Sequence, residues 1–310
     1  MALEWLDVFP YFEMFTCIFA LCSSFHFFYI IVNATILQAT SRPFLLLFSV
    51  SLFLLAMSHG LKTSEVIIGL RPEDPSTGGF SIRHYVWSLL HEFAFALHSL
   101  SLFMFAGERY ITAKFSMLPT SRNKIFAILL AGLISILAMA YAQLIHMVNF
   151  NVKAMTCMNI VDCGALLILV LSSKFSIKHY RNTCGVASLE TRFQISDVYI
   201  WTQTIIPIAS LAFLVKFIYV IVIWLLSSFA GGIQFQIEFS NYYETAMDLF
   251  TISLPFLIKE NHRRLKNLKL RNRHVKPKVL QMHVKTLDGR AIHMKDTIHD
   301  HFDFLKNHWK

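Results

Sequence analysis

The stretch S-L-F-M-F-A-G-E-R-Y-I-T-A-K-F, Ser101 to Phe115, breaks a run of Phe, Leu and Met with an acid beside a base, Glu108-Arg109. The apolar run behind it begins near residue 85. That is the length at which an α-helix crosses about 30 Å of hydrocarbon, roughly 20 residues at 1.5 Å each. The pair therefore stands where a helix leaves a membrane. An acid and a base side by side at such a boundary can also form a working ion pair.

The rest of the chain has the same texture. Of 310 residues, 55% are hydrophobic, 29 are Phe and only 15% are charged, against about 25% charged in ordinary soluble domains. The mean hydropathy is +0.52. Apolar residues come in long blocks, which predict spans at about 11–37, 44–69, 85–107, 125–148, 157–173, 198–226 and 241–258. The fifth and seventh are the shortest. Barrel strands are excluded, because the blocks are continuous where such strands alternate. The expectation is an all-α membrane protein, a seven-transmembrane helix bundle over 11–258, with a short segment at 1–10 and a basic tail at 259–310.

Orientation follows from Lys and Arg, which concentrate on the cytoplasmic side. With the N-terminus outside, the inner connections receive Arg42, Arg109, Lys114, Arg122, Lys124, Lys174, Lys178, Arg181 and Arg192, and the outer ones only Arg71, Arg83 and Lys153. The C-terminus is then cytoplasmic. The first ten residues, M-A-L-E-W-L-D-V-F-P, are acidic rather than basic, so the first span is expected to act as its own insertion signal. The net charge of +9 hugs membrane exits, which argues against nucleic acid as a partner. The tail's K-E-N-H-R-R-L-K-N-L-K-L-R-N-R-H-V-K-P-K suits a helix on anionic lipid, or simply a stop-transfer charge run.

Chemistry of the enzymatic kind finds no support. No Ser-His-Asp arrangement or phosphate-cradling loop is present. His91 and His98 are seven apart, not the three or four that put two ligands on one ion, and six tail histidines lack matching ligands. No metal or cofactor is expected. Cys17, Cys22, Cys157, Cys163 and Cys184 suggest free, buried thiols rather than a disulfide framework. The N-x-T site Asn33-Ala34-Thr35 falls at the inner end of the first span, where glycosylation is not expected.

Polar groups inside hydrocarbon are costly, so each invites a functional reading. Lys62, Glu65, His91, Glu92, Asp162, Lys216, Glu244 and Asp248 fall in the outer halves of their predicted spans. Glu244 and Asp248 share a helix face by their i, i+4 spacing, and Lys216 can balance one of them if the sixth and seventh helices are neighbours. His91, Phe95 and His98 occupy one face of the third span. Two readings stay open: a cavity for a small molecule, and a satisfied network that pins the helices. Mid-depth charges with helix-kinking Pro207 and Pro255 also admit a transporter.

Three motifs then resemble one family. E-R-Y-I-T-A-K-F at 108–115, S-L-E-T-R-F-Q-I-S-D at 188–197 and the terminal H-D-H-F-D-F-L-K-N-H-W are similar, in order, to elements of the nematode seven-transmembrane chemoreceptors of the Sra superfamily. Their classes are alpha, beta, alpha/beta and epsilon. Asp197-Val198 departs from the usual Glu-Asn, and the outer end of the third span lacks the cysteine of many rhodopsin-like receptors. The resemblance implies a G-protein-coupled chemoreceptor of the plasma membrane, in sensory-neuron cilia, that binds a small ligand and activates a heterotrimeric G protein. It would make Glu108 and Arg109 the inner switch with Tyr110 flanking, and would put Arg192, Phe193 and Gln194 on the G-protein side of helix six.

Overall fold

The computed structural model describes residues 2–33, 39–69, 82–115, 121–148, 151–183, 189–228, 233–274, 284–285 and 291–292. Among them, seven α-helices follow in order: α1 (Ala2–Asn33), α2 (Arg42–Ile67), α3 (Ile82–Phe115), α4 (Ser121–Val148), α5 (Asn151–Thr183), α6 (Leu189–Ser228) and α7 (Ile233–His274). The tail adds one departure from an all-α chain, a two-stranded antiparallel pair of β1 (Val284–Lys285) and β2 (Ala291–Ile292), with Val284 opposite Ile292. Met1–His262 and Arg263–Lys310 are separate compact units; the bundle is the first. The 70–81 connection, Cys184, residues 34–37 and the C-terminal motif lie outside the described residues.

Among the described residues, six helices carry segments long and apolar enough to cross a membrane: Val8–Asn33, Arg42–Ile67, Tyr85–Lys114, Asn123–Ile145, Lys153–His179 and Val198–Leu225. The protein is a multi-pass helical membrane protein. α7 is long enough but more polar, because Glu244 and Asp248 interrupt its apolar run. Several helices also outrun their expected spans. α5 is 33 residues long, not the short 157–173, and α3 continues beyond Glu108-Arg109 to Phe115. α7 passes residue 258 and carries the first basic stretch of the tail to His274. The expected ends were those of the apolar blocks, which mark where apolar surface stops rather than where the backbone hydrogen-bond ladder stops.

Burial explains the arrangement. Residues 94–99 of α3 are buried without interruption, more than one full turn, so this helix has no free face there. It packs against α2, α4, α5 and α6. α4 is one-sided: Ala127, Ala131, Ile134, Ala138 and Ala142 are buried while Phe126, Leu129, Leu133 and Leu137 are exposed. The small residues let the α3 and α4 backbones approach, and the large ones face the bilayer. Such inverted exposure is what a lipid-bathed bundle requires.

Cross-helix contacts fix the direction of each neighbour. Cys17, midway along α1, meets His59, in the second half of α2, and Ser24, further along α1, meets Ser49, early in α2. Thr40 and Ser41, before α2, meet Glu108, late in α3. Tyr85, early in α3, meets Gln143, late in α4, and Asp162, early in α5, meets Lys216, late in α6. These four consecutive pairs therefore run antiparallel. α2 ends on Gly69, whose φ of 75° is the left-handed conformation that glycine adopts without strain.

Pro207 and Pro255 sit within unbroken α6 and α7. Proline has no N–H, so Pro255 leaves the carbonyl four residues back, that of Thr251, without its helical donor. Ser23 of α1 supplies one: its hydroxyl donates to Thr251 O at 2.8 Å. The helix break is thus turned into an α1–α7 contact. Ser23→Ala should lower the stability of the purified protein by about 1 kcal/mol, the usual net worth of one hydrogen bond. In a Pro255→Ala background, where the helix supplies its own N–H, thermal unfolding should show a smaller loss.

Candidate functional site

Three polar clusters are buried in the bundle. The first joins α1, α2 and α7 near the end where α1 begins. Asp248 accepts a short contact from His59, Nδ1 to Oδ2 at 2.7 Å, and the Cys17 thiol donates to the same oxygen at 3.2 Å. The other ring nitrogen of His59 lies 3.6 Å from Glu244 and 4.0 Å from Glu13. Lys62 donates to both Glu244 oxygens, at 3.1 and 3.2 Å, and to Asn241 at 3.0 Å. The backbones come close because Gly60 carries no side chain: a Cβ there would stand 3.4 Å from Cys17 Cβ.

The second cluster joins α3, α5 and α6 around Lys216, whose relative exposure is 0%. Its ammonium donates to Asp162 Oδ2 and Ser99 Oγ and meets His98 Nδ1, each at 2.8 Å. It also lies 4.5 Å above the Phe95 ring, a favourable cation–π placement. Ser99 donates to Asp162 at 3.1 Å, and the His98 ring packs tilted against Phe48, with centroids 4.6 Å apart. Three acceptors and one aromatic face replace the water this cation would otherwise keep.

The third cluster is at the opposite end. Arg109 Nε donates to Glu108 Oε2 at 2.6 Å. Glu108 also accepts the hydroxyls of Thr40 at 2.7 Å, Ser41 at 2.7 Å and Thr112 at 3.2 Å. Ser41 is the N-cap of α2, yet its hydroxyl caps nothing in its own helix; it is given to Glu108 instead. Arg109 is fully enclosed, with its guanidinium 5.6 Å from the Phe105 ring centre. Tyr110 packs edge-on to Phe175 of α5. The acid thus ties the end of α3 to the α1–α2 connection.

The remaining expected residues divide. Glu92 is buried, and His91 meets the Ser58 hydroxyl at 3.5 Å. His91 and His98 share no site, since His98 is taken by Lys216. Lys216 does not balance Glu244 or Asp248, as the sequence suggested. It pairs with Asp162, because α6 lies against α3 and α5, while the α7 acids face α2. Arg192, Phe193 and Gln194 are in the first turns of α6; their side chains lie outside the described residues. A cleft of about 240 Å³ lies elsewhere, between α1 and α2, lined by Ser24, Phe25, Phe28, Ser49, Val50 and Phe53. Of the cysteines, Cys17 is buried, but Cys22 and Cys157 are exposed, contrary to the expectation of burial, because they lie on outward helix faces.

Sequence reasoning missed Glu13, Cys17 and His59 as members of a site. Each stands alone in an apolar run, with no local partner to flag it. No protein-family model matches the chain, and no curated protein matches it significantly.

Chemically, the first two clusters are ion pairs whose members belong to different helices, so a change in one group's charge bears on helix packing. Removing one partner of a buried pair strands the other charge. Lys216→Met should therefore cost roughly 3–5 kcal/mol in thermal unfolding of the purified protein. Adding Asp162→Asn should recover most of that loss.

Proposed function

We propose that the chain is a chemosensory G-protein-coupled receptor that crosses the plasma membrane of a sensory-neuron cilium seven times, with its N-terminus outside. The observation that carries the reading is the enclosed Arg109 held by Glu108, which is itself held by Thr40, Ser41 and Thr112. A salt bridge on a helix end, restrained by hydroxyls from another connection, is a two-state element that helix movement can open. α7 serves as the seventh span on this reading. Its acids, Glu244 and Asp248, already have partners in Lys62 and His59, which reduces their cost in hydrocarbon.

A small ligand binds at the end where α1 begins, among the charged groups of α2, α3 and α7. Its signal leaves at the Glu108 end, where Arg192, Phe193 and Gln194 at the start of α6 face the G protein. The basic continuation of α7 contacts anionic lipid of the inner leaflet. Transport is the second reading, favoured by one observation: Lys216 and Asp162 are both buried deep within long apolar helices, as coupling groups in transporters are.

The test measures G-protein activation in cells, with and without a panel of odorants and water-soluble metabolites. Glu108→Gln removes the charge that holds Arg109, and should raise basal activation several-fold without any ligand. Arg109→Ala should abolish ligand-driven activation while surface expression is kept. If both variants reach the surface and signal as the wild type does, the switch assignment is wrong. Ligand-dependent uptake into vesicles that fails in Lys216→Met, without G-protein activation, would establish transport instead.

A further inference from the structure

The α1–α2–α7 cluster contains more ligating chemistry than helix pairing needs. Cys17 Sγ, His59 Nδ1 and Asp248 Oδ2 lie within 4.8 Å of one another, with separations of 3.3, 3.2 and 2.7 Å. A tetrahedral zinc site built on its ordinary bond lengths places such atoms about 3.3–3.6 Å apart. The three atoms therefore approximate one face of a coordination tetrahedron, with the two sulfur separations within a few tenths of an ångström of it and the Nδ1–Oδ2 edge shorter by roughly 0.6 Å, because they share protons rather than a metal. All three residues are buried.

Two further observations point to a missing cation. Glu13, 4% exposed, keeps Oε1 buried with no hydrogen-bond partner among the described residues, and His59 Nε2 has none among them either. Both atoms point into the cluster, 4.0 Å apart. The charges also fail to balance. Three carboxylates, Glu13, Glu244 and Asp248, face a single permanent cation, Lys62, and uncompensated negative charge is costly in such surroundings. A divalent ion would supply what is lacking.

We propose that Cys17, His59 and Asp248 bind one divalent transition-metal ion of the zinc class, with the fourth position left to water. The thiol and imidazole select a borderline-soft ion over calcium, magnesium or sodium, which prefer oxygen. Glu244 acts behind His59: a carboxylate facing Nε2 fixes the tautomer that leaves Nδ1 free to bind, the usual outer support of a metal-bound histidine. Lys62, whose side chain is 40% exposed, flanks the way in. The bound ion would join three helices that are otherwise joined here by shared protons. This site shares the α2 and α7 groups of the ligand end of the proposed receptor but rests on the side-chain geometry alone, so loss of metal binding and loss of G-protein activation are separate results.

The full chain, purified in detergent micelles and stripped with chelator, is titrated with zinc and then with cobalt. One ion per chain is expected, with a thiolate-to-cobalt charge-transfer band and X-ray absorption showing one sulfur among nitrogen and oxygen neighbours. Cys17→Ser should remove the sulfur and weaken binding by about 100-fold or more, and Glu244→Gln, acting at one remove, by about 10- to 100-fold. Should Cys17→Ser not fold, a chain with Cys22, Cys157, Cys163 and Cys184 changed to Ser keeps Cys17 alone, and must retain both ion and sulfur. No retained ion, a shell of only nitrogen and oxygen such as tail histidines would give, or loss of sulfur in the Cys17-only chain would each overturn the site.

Discussion

The constraint from which the rest of the structure follows is the cost of holding Lys216 out of water. A buried ammonium is tolerable only where opposite charge and hydrogen-bond acceptors surround it. Lys216 obtains them from two other helices: Asp162 of α5, and His98 and Ser99 of α3. That requirement locks α3, α5 and α6 into one register. It also leaves α3 with no outward face over 94–99, so the other helices must arrange themselves around it.

The α1–α2–α7 cluster applies the same logic to a helix that hydropathy alone would not place in a membrane. Glu244 and Asp248 lower the apolar character of α7, but both are met by side chains of α2. The freed carbonyl before Pro255 is met by Ser23 of α1. Each polar liability in α7 is thus also the contact that docks it. α3 carries two of these contacts: Ser99, at its middle, touches Lys216, and Arg109 lies about 15 Å further along the same helix. Packed helices of this kind move as bodies rather than deform.

The clusters were legible in the sequence to different degrees. Charged residues inside apolar runs are visible without coordinates, so Lys62, Glu92, Asp162, Lys216, Glu244 and Asp248 were found by their rarity alone. Glu108-Arg109 was found because both partners are adjacent in the chain. The pairing of the others was not legible. Sequence neighbours suggested that Lys216 meets an acid of α7, yet partner choice depends on which helices touch and at what rotation, which no local pattern encodes. Glu13, Cys17 and His59 were not seen as members of one site, because a site assembled from residues 17, 59 and 248 has no spacing to detect.

By itself, the sequence determined that the chain is helical and lives in a membrane, and roughly where each apolar segment lies, because length and hydropathy are local properties that the bilayer reads directly. It also determined which residues would be costly to bury. Only the tertiary structure decided how far each helix runs beyond its apolar stretch, since that depends on backbone hydrogen bonding rather than on surface. Tertiary structure alone also decided which charge neutralises which. Electrostatic pairing is set by distance in space, and helix packing brings together residues that the chain holds far apart.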